Sequence, residues 1–339
     1  MNKKKEIVMS GIRPTGFLHL GSYFGAIRNY VKMQDDYECY FMVADLHSLT
    51  THPDTKDLKD NVHRVLAENI ACGLDPEKVA LYCQSHVQET SELYLFLNML
   101  AYKGELEKTA TFKEKVRLSP DNVNAGLLTY PVLQAADILL HRAHYVPVGK
   151  DQEQHLEMSR NFAKRFNHRY KINLHEDIFP EPVAFNFSNN LVKVPSLDGG
   201  GKMSKSENQM ATLYLADDDE TIRKKVMKAK TDNGPTEKNS PKPGYIENLF
   251  LLKKLVSNEE QLSNYEEQYN NCTIRYGDMK KQLAEEMVNF IAPIRTRANE
   301  ILADEKYLQQ VMKQGAEKAI ASAQATMQLA RNAMGLNYF

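Results

Sequence analysis

The chain has no tryptophan among its 339 residues, so any ultraviolet emission of its own comes from 17 tyrosines. It is poor in cysteine: four residues, Cys39, Cys72, Cys83 and Cys272, lie far apart. No CxxC pair and no Cys/His ligand spacing occurs, which excludes the common structural zinc and iron–sulfur frameworks and leaves reduced, buried thiols as the reading. No apolar run approaches the roughly 20 residues of a membrane span. The charged opening Met1-Asn-Lys-Lys-Lys-Glu6 lacks a following signal-peptide core, because Ile7-Val8-Met9 gives way at once to Ser10-Gly11; the cytoplasm is the expected compartment. Charge of one sign is missing too. With 43 Lys+Arg against 44 Asp+Glu the formal net charge is −1, so a nucleic-acid partner would have to use local patches such as Arg223–Lys230, or Lys164-Arg165 with His168-Arg169.

What is present is an ordinary globular composition, 42% apolar and 26% charged, on a chain long enough for two domains. Apolar, β-branched or aromatic runs recur at Glu6–Ser10, Tyr37–Ala44 and Val79–Gln84, separated by helical patterns over Tyr23–Gln34, Leu58–Cys72 and Ser91–Leu100. This alternation predicts parallel βαβ units, an α/β fold. Further strands are expected at Tyr145–Val148 and Leu191–Val194, with a helix opening at Asp151. Beyond about residue 212 strand signals fade. Helical patterns broken at Asn233-Gly234-Pro235 and Pro241-Lys-Pro-Gly244 predict a mostly helical C-terminal domain.

Two short segments stand out, about 180 residues apart: Arg13-Pro-Thr-Gly-Phe-Leu-His-Leu-Gly-Ser22 and Gly199-Gly-Gly-Lys-Met-Ser-Lys-Ser206. The first reads as strand, Gly-containing loop and helix start. The second is a Gly-rich loop with two lysines. Close backbone, a helix N-terminus and mobile ammonium groups are what a nucleoside triphosphate requires. In a parallel sheet ligands bind beyond the carboxyl ends of the strands. The segment after the first run, Asp45 and His47 after the second, Gly149 to Gln152 after Val148, and the lysine loop are all expected at that edge. His19-Leu-Gly-Ser22 resembles the HIGH signature of class I aminoacyl-tRNA synthetases, and Lys202-Met-Ser-Lys-Ser206 matches their KMSKS signature. The resemblance implies a Rossmann-like parallel-sheet catalytic domain over 1–212, with a helical insertion near 101–145, and a helical anticodon-binding domain over 213–339.

A third passage concerns the amino acid. In Leu127-Leu-Thr-Tyr-Pro-Val-Leu-Gln-Ala-Ala-Asp-Ile-Leu-Leu-His141, Asp137 sits in an otherwise apolar helix. A carboxylate there is costly unless paired, so it is either a cap or salt-bridge residue or an acceptor for a ligand N–H at the foot of an apolar pocket. With Val146-Pro-Val-Gly-Lys-Asp-Gln-Glu-Gln-His-Leu-Glu157, this stretch closely resembles bacterial tryptophanyl-tRNA synthetases. The resemblance extends from Ser10 to Leu336. It implies activation of L-tryptophan with ATP and transfer to tRNA(Trp), Mg²⁺ carried by the nucleotide with no metal ligands from the protein, and a homodimer.

Residue by residue, the resemblance implies that Asp137 accepts the indole N–H. Tyr130, Met9, His47, Gln134, Ile138, Val146, Val148 and Gln152 would form the rest of the tryptophan site. Arg13, Pro14, Thr15, Gly21, Ser22, Gly149, Lys150, Asp151, Val194, Lys202, Met203, Ser204, Lys205 and Ser206 would meet ATP, and His19, Lys115, Lys202 and Lys205 would assist the chemistry. Three departures stand against the family pattern: Ser22 where Asn or His is usual, Gln134 where some relatives have Met, and Asp198-Gly-Gly-Gly before Lys202 where some carry Pro. Tyrosyl-tRNA synthetase is the nearest rival. A nucleotidyltransferase acting on a small metabolite and a catalytically silent tRNA-binding paralogue stand further off.

Overall fold

The computed structural model describes residues 5–50, 54–149, 152–170, 177–185, 193–203 and 208–338. In chain order the elements are β1 (Ile7–Ile12), α1 (Leu20–Ser22) running through a π turn (Tyr23–Ile27) into α2 (Arg28–Met33), β2 (Glu38–Val43), α3 (Asp45–Leu49), α4 (Leu58–Ala71) and β3 (Ala80–Cys83). Then come α5 (Glu89–Asn98), α6 (Lys103–Leu106), α7 (Ala110–Leu118), α8 (Ala125–Leu140), β4 (Tyr145–Val146), α9 (Glu153–Tyr170) and β5 (Val183–Ala184). The chain ends in α10 (Asp219–Met227), α11 (Gly244–Val256), α12 (Glu259–Asn270), α13 (Tyr276–Ala303) and α14 (Glu305–Met334).

The five strands form one sheet, ordered β3-β2-β1-β4-β5, and every pairing is parallel. Because side chains alternate across a strand, each strand feeds two cores. Met9, Tyr40, Met42, Ala80 and Tyr82 pack with residues of α5, α8 and α9 on one face. Val8, Cys39, Phe41, Val43, Leu81 and Cys83 pack with Tyr30, Met33 and the apolar stripe of α4 on the other. A third core gathers α10–α13 around Leu20, Phe24, Val194 and Met203, so both loop segments singled out above are anchored in the helical part.

The first four strands fall within a few residues of the expected runs. The fifth does not. Val194 is in no strand, and Leu191 and Val192 lie outside the described residues. Val194 is buried for another reason: its carbonyl accepts Met203 N–H at 2.9 Å, and Ser196 N–H reaches Gly201 carbonyl at 3.1 Å, which folds 194–203 into a tight hairpin beside the helical core. The sheet's last strand is instead Val183–Ala184, two residues just after Pro182.

The final helix does not stay with the other C-terminal helices. Ala316, Ala319, Ala323, Met327 and Ala330 of α14 are buried in the same core as the sheet. β3 is an edge strand, and α14 lies against it so closely that a Cβ at Gly315 would stand 1.9 Å from the Leu81 carbonyl oxygen. Lys318 Nζ donates to the carbonyls of Pro76, Glu77 and Val79 at 2.9–3.2 Å. An exposed edge of unpaired backbone invites association with other strands, and here a helix covers it.

Candidate active site

All five strands run the same way, so the loops leaving them open on one edge. A cavity of about 350 Å³ lies there. Twelve of the residues named from the sequence line it: Met9, Arg13, His47, Lys115, Tyr130, Gln134, Asp137, Ile138, Val146, Val148, Gly149 and Gln152. Ser10, Gly11, Tyr30, Met42, Ala44, Thr50, Thr111, Pro147 and His155 complete the lining and were not named. Met42 and Ala44 continue the alternation of β2 on the face of Met9, a signal that could have placed them.

Asp137 is 2% exposed, so the expectation of a buried carboxylate holds, and the question of its partners has an answer. His47 Nε2 lies 2.8 Å from Oδ2, and Gln84 Nε2 donates to both carboxylate oxygens at 2.9 Å. Gln84 cannot turn over, because its Oε1 accepts His47 N–H at 3.2 Å. Burial raises the Asp137 pKa, opposed by the hydrogen bond and charge of His47 and by Gln84. The result is a fixed acceptor at an otherwise apolar wall. Gln84 follows β3, 53 residues from Asp137, and nothing in its local sequence marks it.

Two cations border the cavity. Lys115, on α7, is half-buried with Nζ 5.1 Å from the centroid of the Tyr130 ring, a cation–π contact. Burial, then repulsion from Arg13, lowers its pKa. A half-buried Lys115 and an exposed Arg13 that repel each other suit an anionic ligand.

Of the residues expected to meet the nucleotide, Arg13 and Gly149 line this cavity, and His19, Gly21 and Ser22 do not. His19 is the N-cap of α1, with Nδ1 accepting Ser22 N–H at 3.2 Å, which puts the neutral ring's proton on Nε2. Ser22 thus contributes its backbone to the cap. Gly21 is where the two signatures meet: a Cβ there would lie 2.9 Å from the His19 ring and 3.5 Å from the Met203 carbonyl oxygen. The missing side chain admits the protein's own imidazole. Leu20 N–H donates to Leu213 carbonyl and Leu215 N–H to Leu18 carbonyl, tying the first loop to the chain beyond the second. Thr15 lines a neighbouring cavity of about 450 Å³ with Phe17, Tyr214 and Lys225. Pro14, Val194, Lys202 and Met203 line neither cavity. Asp198 holds the glycine turn before Lys202: Ser196 Oγ–H, Gly200 N–H and Asn208 Nδ2–H all donate to it, at 2.6–3.2 Å, which lowers its pKa. Lys150, Asp151, Ser204, Lys205 and Ser206 lie outside the described residues.

A cavity of about 350 Å³ that holds a buried acceptor, with Arg13 and Lys115 in its lining, agrees with the comparisons. The family model of tRNA synthetases class I (W and Y) matches residues 1–292. The chain belongs to that family. It is 57% identical over 330 residues to a tryptophan–tRNA ligase of Porphyromonas gingivalis, covering 97% of this chain and 99% of the relative. Among solved structures it is similar to a tryptophanyl-tRNA synthetase of Campylobacter jejuni complexed with ADP and tryptophan, at TM-score 0.86 and 34% identity, over 97% of this chain and 99% of that one. A tyrosyl-tRNA synthetase of Aeropyrum pernix shares the fold at TM-score 0.64 and 18% identity, over 92% and 89%. The fold alone therefore does not choose between the two amino acids; the lining of the cavity has to.

Proposed function

We propose that the chain is a tryptophan–tRNA ligase. It activates L-tryptophan with ATP to tryptophanyl-adenylate and pyrophosphate, then transfers the amino acid to tRNA(Trp). The observation that carries the choice of amino acid is Asp137: a buried carboxylate, pinned by Gln84 and His47, facing a cavity walled by Met9, Ile138, Val146 and Val148. An acceptor in apolar surroundings fits an indole N–H. The 57% identity to the Porphyromonas gingivalis ligase supports the same reading.

The reaction needs alignment and neutralisation of charge more than covalent help. A tryptophan carboxylate oxygen attacks the α-phosphorus, and the bond to the bridging oxygen of pyrophosphate breaks. Arg13 and Lys115 supply positive charge at the cavity. Pro14, Thr15, His19, Gly21, Ser22, Gly149, Lys150, Asp151 and Val194 are assigned to the nucleotide. Lys202, Met203, Ser204, Lys205 and Ser206 are assigned to its triphosphate, where the two lysines oppose charge developing on the leaving group. Mg²⁺ belongs to the phosphate oxygens. Among the described residues no three His, Cys, Asp or Glu side chains stand together to hold it, and no step is routed through it.

We assign tRNA reading to the helices after residue 212 and adenylation to the part before. This boundary separates tasks rather than cores, since α14 is built into the sheet. A homodimer accounts for the exposed apolar residues Leu95, Met99 and Tyr102, the first two one helical turn apart. No helix among the described residues is long and apolar enough to cross a membrane, and we place the enzyme in the cytoplasm.

The absence of tryptophan from the chain gives a direct test. Bound tryptophan would be the only indole present. In the Asp137 cavity its emission should move to the blue and saturate without ATP, and tyrosine at equal concentration should not displace it. Emission that stays that of free tryptophan at every protein concentration would refute the assignment.

A further inference from the structure

The loop that leaves β1 carries Thr15 and His19, both assigned to the nucleotide, and two side chains of α4 grip it from behind. Its near end is fixed to the sheet, because the Ile12 carbonyl accepts Ala44 N–H at 2.9 Å. Its far end is fixed at Leu18, whose N–H donates to Glu68 Oε2 at 2.8 Å. One residue earlier, the Arg64 guanidinium lies over the Phe17 ring, 4.2 Å from its centroid. Arg64 and Glu68 are four apart on α4, so they stand one above the other on one face of the helix. Arg13 to Phe17 thus bridge two fixed points.

Glu68 is 2% exposed, and every residue from Val65 to Ile70 is buried. Packing alone does not call for a carboxylate there. A buried carboxylate destabilises unless it is hydrogen-bonded, and an apolar residue of similar volume often serves the core as well or better. The Leu18 N–H gives it a task. Leu18 is itself 1% exposed, and its carbonyl accepts Leu215 N–H at 2.9 Å. Both of its backbone groups are therefore committed, the N–H to α4 and the carbonyl to the chain beyond the lysine loop. His19 follows directly; it caps α1 and pairs with Tyr214. A displacement at Leu18 passes to His19 on one side and through Phe17 and Gly16 to Thr15 on the other. Adenylation depends on groups held in place before reaction, and a misplacement of about 1 Å costs about 10²-fold.

We propose that Glu68 is a positioning residue for adenylation: through Leu18 it holds Thr15 and His19 where the nucleotide phosphates meet them, with Arg64 as the second grip. The proposal rests on the reaction assigned above. Neither side chain lines the cavity, so both act through the loop. Arg13, next to the fixed Ile12, keeps its place without them.

The test is pyrophosphate exchange at varied ATP and saturating tryptophan, beside tryptophan binding by indole fluorescence without ATP. Both are read where melting curves show each variant folded. Glu68→Met keeps the volume and removes the acceptor. It should lower kcat/KM for ATP by about 10-fold or more, as expected for one lost hydrogen bond to a charged group, and leave tryptophan affinity within about twofold. Glu68→Gln keeps an acceptor oxygen and should recover most of the loss. Arg64→Met should lower kcat/KM for ATP by about threefold and again spare tryptophan. Unchanged kcat/KM for ATP in folded Glu68→Met, a loss that glutamine does not recover, or an equal loss of tryptophan binding overturns the proposal and leaves tryptophan activation standing. Should Glu68→Met not fold, Arg64→Met decides, and unchanged kcat/KM for ATP there overturns it. Absence of tryptophan-dependent exchange in the unmodified enzyme overturns the assigned reaction and the proposal with it.

Discussion

Replacing Asp137 by asparagine removes the buried charge and one of the two acceptors that Gln84 uses. The structure dictates how the amide would sit. Gln84 Nε2 can only donate, and its orientation is fixed by the His47 N–H, so the new side-chain oxygen must face Gln84. The new NH₂ then faces His47 Nε2, which accepts by moving the ring proton to Nδ1. That NH₂ takes the place of Oδ2, 2.9 Å from Gln84 Nε2, so one of Gln84's two acceptors becomes a donor; the remaining pairings should keep the fold at reduced stability. The ligand does worse: an indole N–H that met a carboxylate now meets a neutral amide already engaged. A hydrogen bond to a charged partner contributes about 1.5–3 kcal/mol, which corresponds to a rise of roughly 10- to 150-fold in KM for tryptophan. The assay is pyrophosphate exchange, with a melting curve to confirm folding. The sharper comparison uses a tryptophan analogue carrying sulfur in place of the indole N–H. The unmodified enzyme should prefer tryptophan, and Asp137→Asn should lose most of that preference. A folded variant with unchanged preference would refute the claim that Asp137 reads the N–H.

Two other predictions concern the scaffold. Gly315→Ala would drive a Cβ to 1.9 Å from backbone that cannot rotate aside; it should cost at least about 3 kcal/mol and lower Tm by several degrees, and an unchanged Tm would show that α14 does not press on β3 as described. His141 is buried between Tyr82 and Ser322, and burial lowers its pKa from 6.5 to about 3. Its neutral form is the folded one, so its contribution is fully present above pH 6.5 and is lost as pH falls from 6.5 toward 3, by up to about 1.4 kcal/mol per pH unit. His141→Gln should flatten the fall in urea midpoint between pH 7 and pH 5; an unaltered acid slope would refute this origin.

How much of this was legible in the sequence depended on whether the cause was local. β1, β2 and β3 declared themselves because a buried parallel strand is a short apolar run bounded by turn residues. Val183–Ala184 offered two residues beside a proline, too little for any periodicity. Leu191–Val194 carried strand composition, yet Val194 is apolar because it enters the helical core through the lysine-loop hairpin. Asp137 was legible as a carboxylate in an apolar helix; Gln84 and Glu68 were not, since their roles come from partners that only the tertiary fold supplies. The destination of α14 left one trace, the small residues Gly315, Ala316, Ala319 and Ala323, which mark close approach without saying to what.

The central claim is that this chain activates tryptophan. Pyrophosphate exchange with ATP, measured separately with each of the twenty amino acids, tests it most directly. The account predicts exchange with L-tryptophan that exceeds that with tyrosine by about 10²-fold or more, because a single phenol ring, even with its O–H on Asp137, buries less apolar surface in the cavity than the two rings of an indole. Exchange that is equal for the two, greater for tyrosine, or absent for all twenty would contradict it.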